Sequence, residues 1–387
     1  MNILVVHNKY QQRGGEDAVV EAEVELLARA GHVINVAVVS NDEVSGLPAK
    51  ARTFLKTPYN VERKSWLIGL LSQYRPDVVH IHNFFPLLTP SVHEAAYEHG
   101  AAVVQTLHNY RLLCAGALFL RDGHVCEKCL QGSSLWGVVH RCYRGSLPAS
   151  LAVTRMQVRA KRSEVWKRHV HRFIALTEFA REKFIEGGLP AERIAVKPNF
   201  VTAPQGLPKL DRNGAIYVGR LSAEKGVKLL LEAWRSFPHI PLTIVGDGPE
   251  RQELEAMAPG NVTFTGALTG SDVRGRMAEA QCLIMPSIWY ETFGLTIIEA
   301  FSVGTPVLAS RLGAMAELVD VGVTGLTFEP NENHLVDAIR AAFSDNGRLL
   351  QMGRAAAALY KARYTPQANL AQLEDIYEAA LASRRLG

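Results

Sequence analysis

The chain has 387 residues, 48% of them hydrophobic and 21% charged, with a net charge of +4. Those proportions fit two or three folded domains and exclude a disordered chain. The longest apolar runs fall well short of the roughly 18 residues that span a bilayer, and Ile3-Leu4-Val5-Val6 enters a strand with no export-type segment before it, so a cytoplasmic protein is expected.

The first strand leads into the loop carrying Gly14 and Gly15, then into a helix on which Val20, Val24 and Leu27 share one face. Further strands are expected at residues 33–39, 78–81, 103–107 and 173–176, with helical patterns between most of them. That alternation describes a parallel sheet covered on both faces and a first domain over residues 1–200. Glycines just after a strand let the backbone approach a phosphate at a helix start. The neighbouring Glu16 and Asp17 oppose an anion there unless they cap the helix or point away.

Four of the five cysteines fall in one segment: Cys114, Cys126, Cys129 and Cys142. The inner pair forms Cys-x-x-Cys and the outer two flank it at near-equal distances. That spacing suits a tetrahedral thiolate zinc site of structural role, with reduced thiols or disulfides as the alternatives and His124 and His140 as further donors. Cys282 lies in an apolar strand and reads as core.

Residues 155–172 hold seven Lys and Arg against Glu164 alone. The segment reads either as a basic helix facing anionic lipid or as a solvated helix packed through Met156, Val165 and Trp166. Residues 1–200 carry 25 Lys and Arg against 18 Asp and Glu, a net of +7, and the remainder 17 against 20, a net of −3. A basic first half suits an anionic surface or a lipid pyrophosphate, or is simply a mixed surface. With no recognition motif, nucleic acid is not an expected partner.

Residues 199–214, with Pro204, Gly206 and Pro208, read as a linker. The βα pattern then restarts over residues 201–365. Strands are expected at residues 215–218, 242–245, 262–264 and 282–285, and helices at 227–234, from 249 and at 272–280. A last helix covers residues 366–384. Ligands of such sheets bind beyond the carboxyl ends of the strands, and the polar motifs lie there. Gly219-Arg220 through Lys225-Gly226 follows one strand and offers a guanidinium fork and an ammonium to a diphosphate. After another strand come Glu291, on a loop, and Glu299, about one turn into a helix whose first amides lie near Phe293, Gly294, Leu295 and Thr296. Carboxylates for hydroxyls beside amides for phosphate match a nucleotide sugar. No Asp-x-Asp occurs to bridge a metal to a diphosphate, and no Walker-type run is present.

Pro286-Ser287, Glu291, Phe293-Gly294-Leu295 and Glu299-Ala300, followed by Gly304-Thr305-Pro306 and Gly313 to Glu317, resemble the family-4 retaining glycosyltransferases (glycosyl transferases group 1) of GT-B fold. The likeness covers nearly the whole chain. It implies two Rossmann-like α/β domains facing a cleft, with residues 366–387 crossing back to the first domain. It implies that Glu299 grips the ribose hydroxyls, Glu291 the donor sugar, and Arg220 and Lys225 the diphosphate. Gly14, Gly15 and Gly219 approach the donor, the strand end at Phe264 reads the base through its backbone, and His108 lies near the sugar and the attacking hydroxyl. His82 reads as a core histidine or an acceptor-side group.

The implied activity is metal-independent hexosyl transfer with retention, from a UDP-, GDP- or ADP-sugar to a glycan or lipid-linked acceptor. It would serve cell-surface polysaccharide or glycolipid synthesis, in the cytoplasm or on the inner face of the membrane, with no catalytic cofactor. A nucleotide-sugar epimerase on the same architecture and a silent nucleotide-sugar-binding protein are the rival readings.

Overall fold

A computed structural model describes residues 1–12, 14–204 and 211–386. The middle of the expected linker, residues 205–210 with Gly206 and Pro208, lies outside the described residues. The chain forms two compact units. One comprises residues up to Phe119, Cys126–Pro198 and the chain from Leu370, the other Leu120–Val125 and Asn199–Asn369.

The first unit is built on strands β1 (Asn2–Lys9), β2 (Val33–Ser40), β3 (Val78–Asn83) and β4 (Ala102–Thr106). After a short antiparallel pair, β5 (Leu120–Arg121) and β6 (His124–Val125), come β7 (Arg172–Ala175) and β8 (Ile194–Val196). Its sheet runs β2-β1-β3-β4-β7-β8, all parallel. The order reverses between β1 and β3, so their carboxyl ends flank a crevice of the kind that binds ligands in open α/β sheets. Strands β3 and β4 are buried along their whole length, as central strands covered on both faces must be. From Leu370 the last helix, Pro366–Leu386, belongs to this unit. Its Leu373, Ile376, Tyr377 and Ala380 pack with Ile3, Val5, Val78 and Val104.

The second unit holds β9 (Ala215–Val218), β10 (Leu242–Val245), β11 (Val262–Gly266), β12 (Cys282–Met285), β13 (Val307–Ser310) and β14 (Gly325–Phe328). The order β11-β10-β9-β12-β13-β14 is that of a dinucleotide-binding sheet, with its reversal between β9 and β12. Helices Val227–Trp234 and Glu332–Phe343 bury Leu230, Leu231, Trp234, Leu335 and Ile339 in one core with Tyr217, Ile244, Ile284 and Cys282. Cys282 is fully buried, and burial pushes its thiol up to about 12.

The basic stretch forms helices Leu147–Arg162 and Val165–Arg168. It packs through its apolar side. Met156 and Val165 are buried, and Arg155 and Arg159 lie over the rings of Phe54 and Tyr59 at 5.6 and 4.4 Å. No helix among the described residues is long and apolar enough to cross a membrane.

Candidate active site

In the second unit the polar motifs leave the two strands that flank the reversal. Gly219 and Arg220 directly follow β9, and Pro286 to Glu291 directly follow β12. Backbone contacts lock the loops together: Gly219 N donates to Val245 O at 3.0 Å, Leu221 N to Asp247 O at 3.0 Å, and Ile288 N to Glu224 O at 2.9 Å. Gly226 makes that closeness achievable. Its φ is +69°, and a Cβ there would lie 2.0 Å from Pro286 O, so any side chain would drive the β9 and β12 loops apart.

Glu291 is buried, and three groups converge on its Oε1: Lys225 Nζ at 2.6 Å, Ser287 Oγ at 3.0 Å and Trp289 Nε1 at 3.1 Å. The Lys225 ammonium also lies 5.2 Å from the centre of the Trp289 ring. An ammonium has three donors, so Lys225 retains capacity for a further anionic partner. Arg220 is exposed, and among the described residues its side chain makes no ion pair. Sequence reasoning named Lys225 and Glu291 separately but missed that they pair, and missed Ser287 and Trp289 as their partners.

Gly294 caps helix Leu295–Ser302 with φ of +101°, a left-handed turn that suits glycine. The first amide bonded back is that of Ile297, to Gly294 O at 3.0 Å. The amides of Leu295 and Thr296 therefore point out of the positive end of the helix. Phe293 is buried with its ring 6.3 Å from that of Tyr364, so its side chain anchors the loop. Glu299 lies in the second turn. Burial pushes its carboxyl up to about 7, against the pull of Arg274. Phe264 lies on the edge strand β11, its ring packed on the core.

The first unit gathers its polar side chains at β1, β3 and β4. Gly14 precedes helix Gly15–Arg29, and its amide donates to Asp17 Oδ2 at 2.8 Å. Asp17 thus caps the helix and also meets His7 Nε2 at 2.8 Å. Tyr10 donates to Glu16 at 2.9 Å, and burial pushes the Glu16 carboxyl up to about 8 despite that bond. The two carboxylates beside the glycines are therefore resolved physically: one is consumed as a cap and the other held close to neutral.

Behind them is a buried histidine chain. His82 Nδ1 and His108 Nε2 are 2.9 Å apart, and His80 bonds Tyr377 and Thr106, each at 2.7 Å. Burial pulls His108 down to about 3, so it is a neutral imidazole at physiological pH. His82 Nε2 lies 3.6 Å from Glu23, whose other oxygen receives Lys197 Nζ at 2.6 Å with both groups buried. The donor atoms of Glu23, His80 and His82 lie within 4.8 Å of one another. Lys197 already neutralises Glu23 and both ring nitrogens of His80 are bonded, so this group is a hydrogen-bond network. Sequence reasoning reached His82 and His108 through their strand ends and missed Glu23 and Lys197, which only their burial reveals.

Two Rossmann-like units, the second with this constellation at its strand reversal, define the GT-B architecture. Residues 202–359 match the family Glycosyl transferases group 1, and residues 14–199 match the Glycosyl transferase 4-like domain. The chain belongs to the group 1 glycosyltransferases.

Among curated relatives, the alpha-D-kanosaminyltransferase of Streptomyces kanamyceticus is 26% identical over 72% of this chain and 70% of its own length. A GDP-mannose-dependent alpha-mannosyltransferase of Corynebacterium glutamicum is 28% identical over 67% of this chain and 57% of its own. The sulfoquinovosyl transferase SQD2 of Arabidopsis thaliana is 34% identical, but the match spans 36% of this chain and only 28% of that protein. The fold is shared with Anabaena HepE, solved with UDP-glucose, at a TM-score of 0.69 and 19% identity over 97% of this chain and 99% of that one. It is shared also with sucrose-phosphate synthase of Thermosynechococcus elongatus, at 0.73 and 18% over 98% and 99%.

Proposed function

We propose that this chain is a retaining hexosyltransferase that moves a sugar from a UDP-, GDP- or ADP-sugar to the hydroxyl of a glycan or lipid-linked acceptor. Its setting would be cell-surface polysaccharide or glycolipid synthesis, in the cytoplasm or at the inner membrane face. The observation that carries the reading is the convergence of Lys225, Ser287 and Trp289 on Glu291 where the sheet order reverses. It places a cation and a fixed carboxylate beside a helix start with unbonded amides.

In this reading the second unit holds the donor. Glu299 accepts from the ribose hydroxyls, and Glu291, kept in one orientation by three donors, accepts from the sugar. Arg220, Lys225 and the amides of Leu295 and Thr296 meet the diphosphate. Transfer breaks the bond between the anomeric carbon and the phosphate oxygen, and forms one to the acceptor oxygen on the same face. The acceptor proton passes to the departing phosphate. Negative charge grows on the diphosphate in that step, and the fixed cations stabilise it most there. With Arg220 and Lys225 in this role and no Asp-x-Asp motif in the chain, no metal is assigned to the chemistry.

The first unit is assigned the acceptor. His108, neutral and held by His82, is suited to hydrogen-bond a sugar or acceptor hydroxyl. A cavity of about 770 Å³ in this unit is walled by Val44, Leu47, Phe54, Phe85 and Pro148, with Lys50 and Arg144 among its lining residues. Leu47, in helix Gly46–Lys56, is 82% exposed. Apolar walls beside cations fit a lipid carrying a phosphate.

The test is a thermal-shift screen of nucleoside diphosphates and their sugars, followed by incubation of the stabilising donor with polyprenyl-phosphate-linked and free glycans. Transfer with the donor's anomeric configuration is expected. An epimerised donor, or stabilisation without turnover on any acceptor, would overturn the assignment.

A further inference from the structure

Between Phe119 and Ser150 the only fully buried residue is Gly137. Yet the stretch has defined structure: the β5–β6 pair, helical turns Lys128–Gln131 and Trp136–Val139, and further turns up to Ser146. Its larger apolar side chains do not supply a core, since Leu135, Trp136 and Val139 are 57%, 42% and 65% exposed. Some thirty residues without a buried side chain do not repay the entropy of ordering through the hydrophobic effect. A cross-link of another kind is called for, and the four cysteines are in and beside this stretch.

The backbone draws them together. Cys126 N donates to Phe119 O at 2.7 Å, closing the β5–β6 pair and placing Cys-x-x-Cys at the turn that follows. Cys114 is buried, with its amide on Tyr110 O at 2.8 Å. A Cβ on Gly137 would lie 2.6 Å from that of Ala115, and one on Gly116 would lie 3.1 Å from Cys142 O. Cys142 N donates to Gly137 O at 2.9 Å, and Gly137 N to Ser134 O at 3.0 Å. Glycines thus allow two passes of chain, one bearing Cys114 and the other Cys142, to stack against one another. The Cys129 thiol has those of Cys114, Cys142 and Cys126 as its electrostatic neighbours. No disulfide joins any of them.

We propose that Cys114, Cys126, Cys129 and Cys142 bind one zinc ion through four thiolates, and that this metal is the structural staple of the segment. The donor set fits the ion: four soft ligands, two of them on a Cys-x-x-Cys turn. The sulfurs are neighbours but are not gathered within the 4.8 Å that Glu23, His80 and His82 achieve. Binding would draw the four sulfurs to tetrahedral spacing around the ion. Four protein ligands leave no position for water, so the site performs no hydrolysis. His140 is the competing donor, because its Nε2 is buried without a hydrogen-bond partner among the described residues.

The test uses the full wild-type chain, purified without an affinity metal. Elemental analysis should find one zinc per chain. Metal-stripped protein should take up one equivalent of zinc in competition with a chromophoric chelator, and cobalt(II) in its place should give the intense visible absorption of a tetrahedral thiolate complex. Cys126, Cys129 and Cys142 should resist a thiol reagent until chelator is added. His140→Ala should retain the metal and Cys129→Ser should lose it. The proposal is overturned if stripped protein binds no zinc and these thiols react freely in the native chain. Thiols released by a reductant and not by a chelator would overturn it equally, in favour of disulfides. Retention of the metal by Cys142→Ser with its loss in His140→Ala would reject the four-thiolate set.

Discussion

Replacing Glu299 by Gln should change stability and ligand binding in opposite directions. In the folded chain burial raises this carboxyl from 4.5 to about 7. Below pH ~4.5 it is neutral both folded and unfolded, and the shift contributes nothing relative to Gln. Between those values the unfolded chain gives up its proton more readily, so stability falls as pH rises, and above about 7 the deficit is constant. At about 1.4 kcal/mol per pH unit the deficit at pH 8 is at most about 3.5 kcal/mol. Glu299→Gln removes it. The unliganded variant should melt higher than wild type at pH 8, by about 2–4 °C per kcal/mol recovered for a unit of this size, and the two should converge toward pH 5.

Ribose hydroxyls donating to the carboxylate would make charge-assisted bonds worth about 1.5–3 kcal/mol. The variant should therefore bind the nucleoside diphosphate about 10- to 100-fold more weakly. Wild-type affinity should rise from pH 6 to pH 8 more steeply than that of the variant, because the carboxylate forms in the wild type while the ionisation of the phosphate is common to both. Calorimetric melting across pH, with and without nucleotide, checks both halves. An unliganded variant no more stable than wild type at pH 8 would refute the buried-charge argument. Unchanged nucleotide affinity would refute the ribose assignment.

Arg220→Ala and Lys225→Ala should each lower turnover by about 10²–10³ while the fold persists, as loss of one donor to a developing charge does; steady-state rates and circular dichroism test this, and near-normal rates in both would contradict it. Glu291→Gln should leave nucleoside diphosphate affinity nearly intact and impair use of the sugar donor, so a titration of diphosphate beside a transfer assay separates its role from that of Glu299. Lys197→Met should destabilise the first unit by about 3–5 kcal/mol, because Glu23 would be left buried and unpaired; urea denaturation measures the loss. Activity should survive a brief exposure to EDTA, and immediate loss reversed by Mg²⁺ would defeat the metal-free mechanism.

The alternation of strands and helices was legible because parallel strands covered on both faces must be apolar throughout. Cys282 to Met285 and Ala215 to Val218 announce themselves in that way. Arg220, Lys225, Glu291 and Glu299 were legible too, since loops at strand ends carry polar residues that packing does not require. Tertiary structure alone decided how these groups act on one another. Lys225 and Glu291, 66 residues apart, pair at 2.6 Å because β9 and β12 are neighbours in the sheet although two strands separate them in the chain. Glu23 and Lys197, 174 residues apart, read as ordinary surface charges until burial makes each require the other. The state of a carboxyl is likewise invisible in sequence. Glu16 and Glu299 are raised because neighbours distant in the chain exclude water from them, and desolvation is a property of the assembled fold.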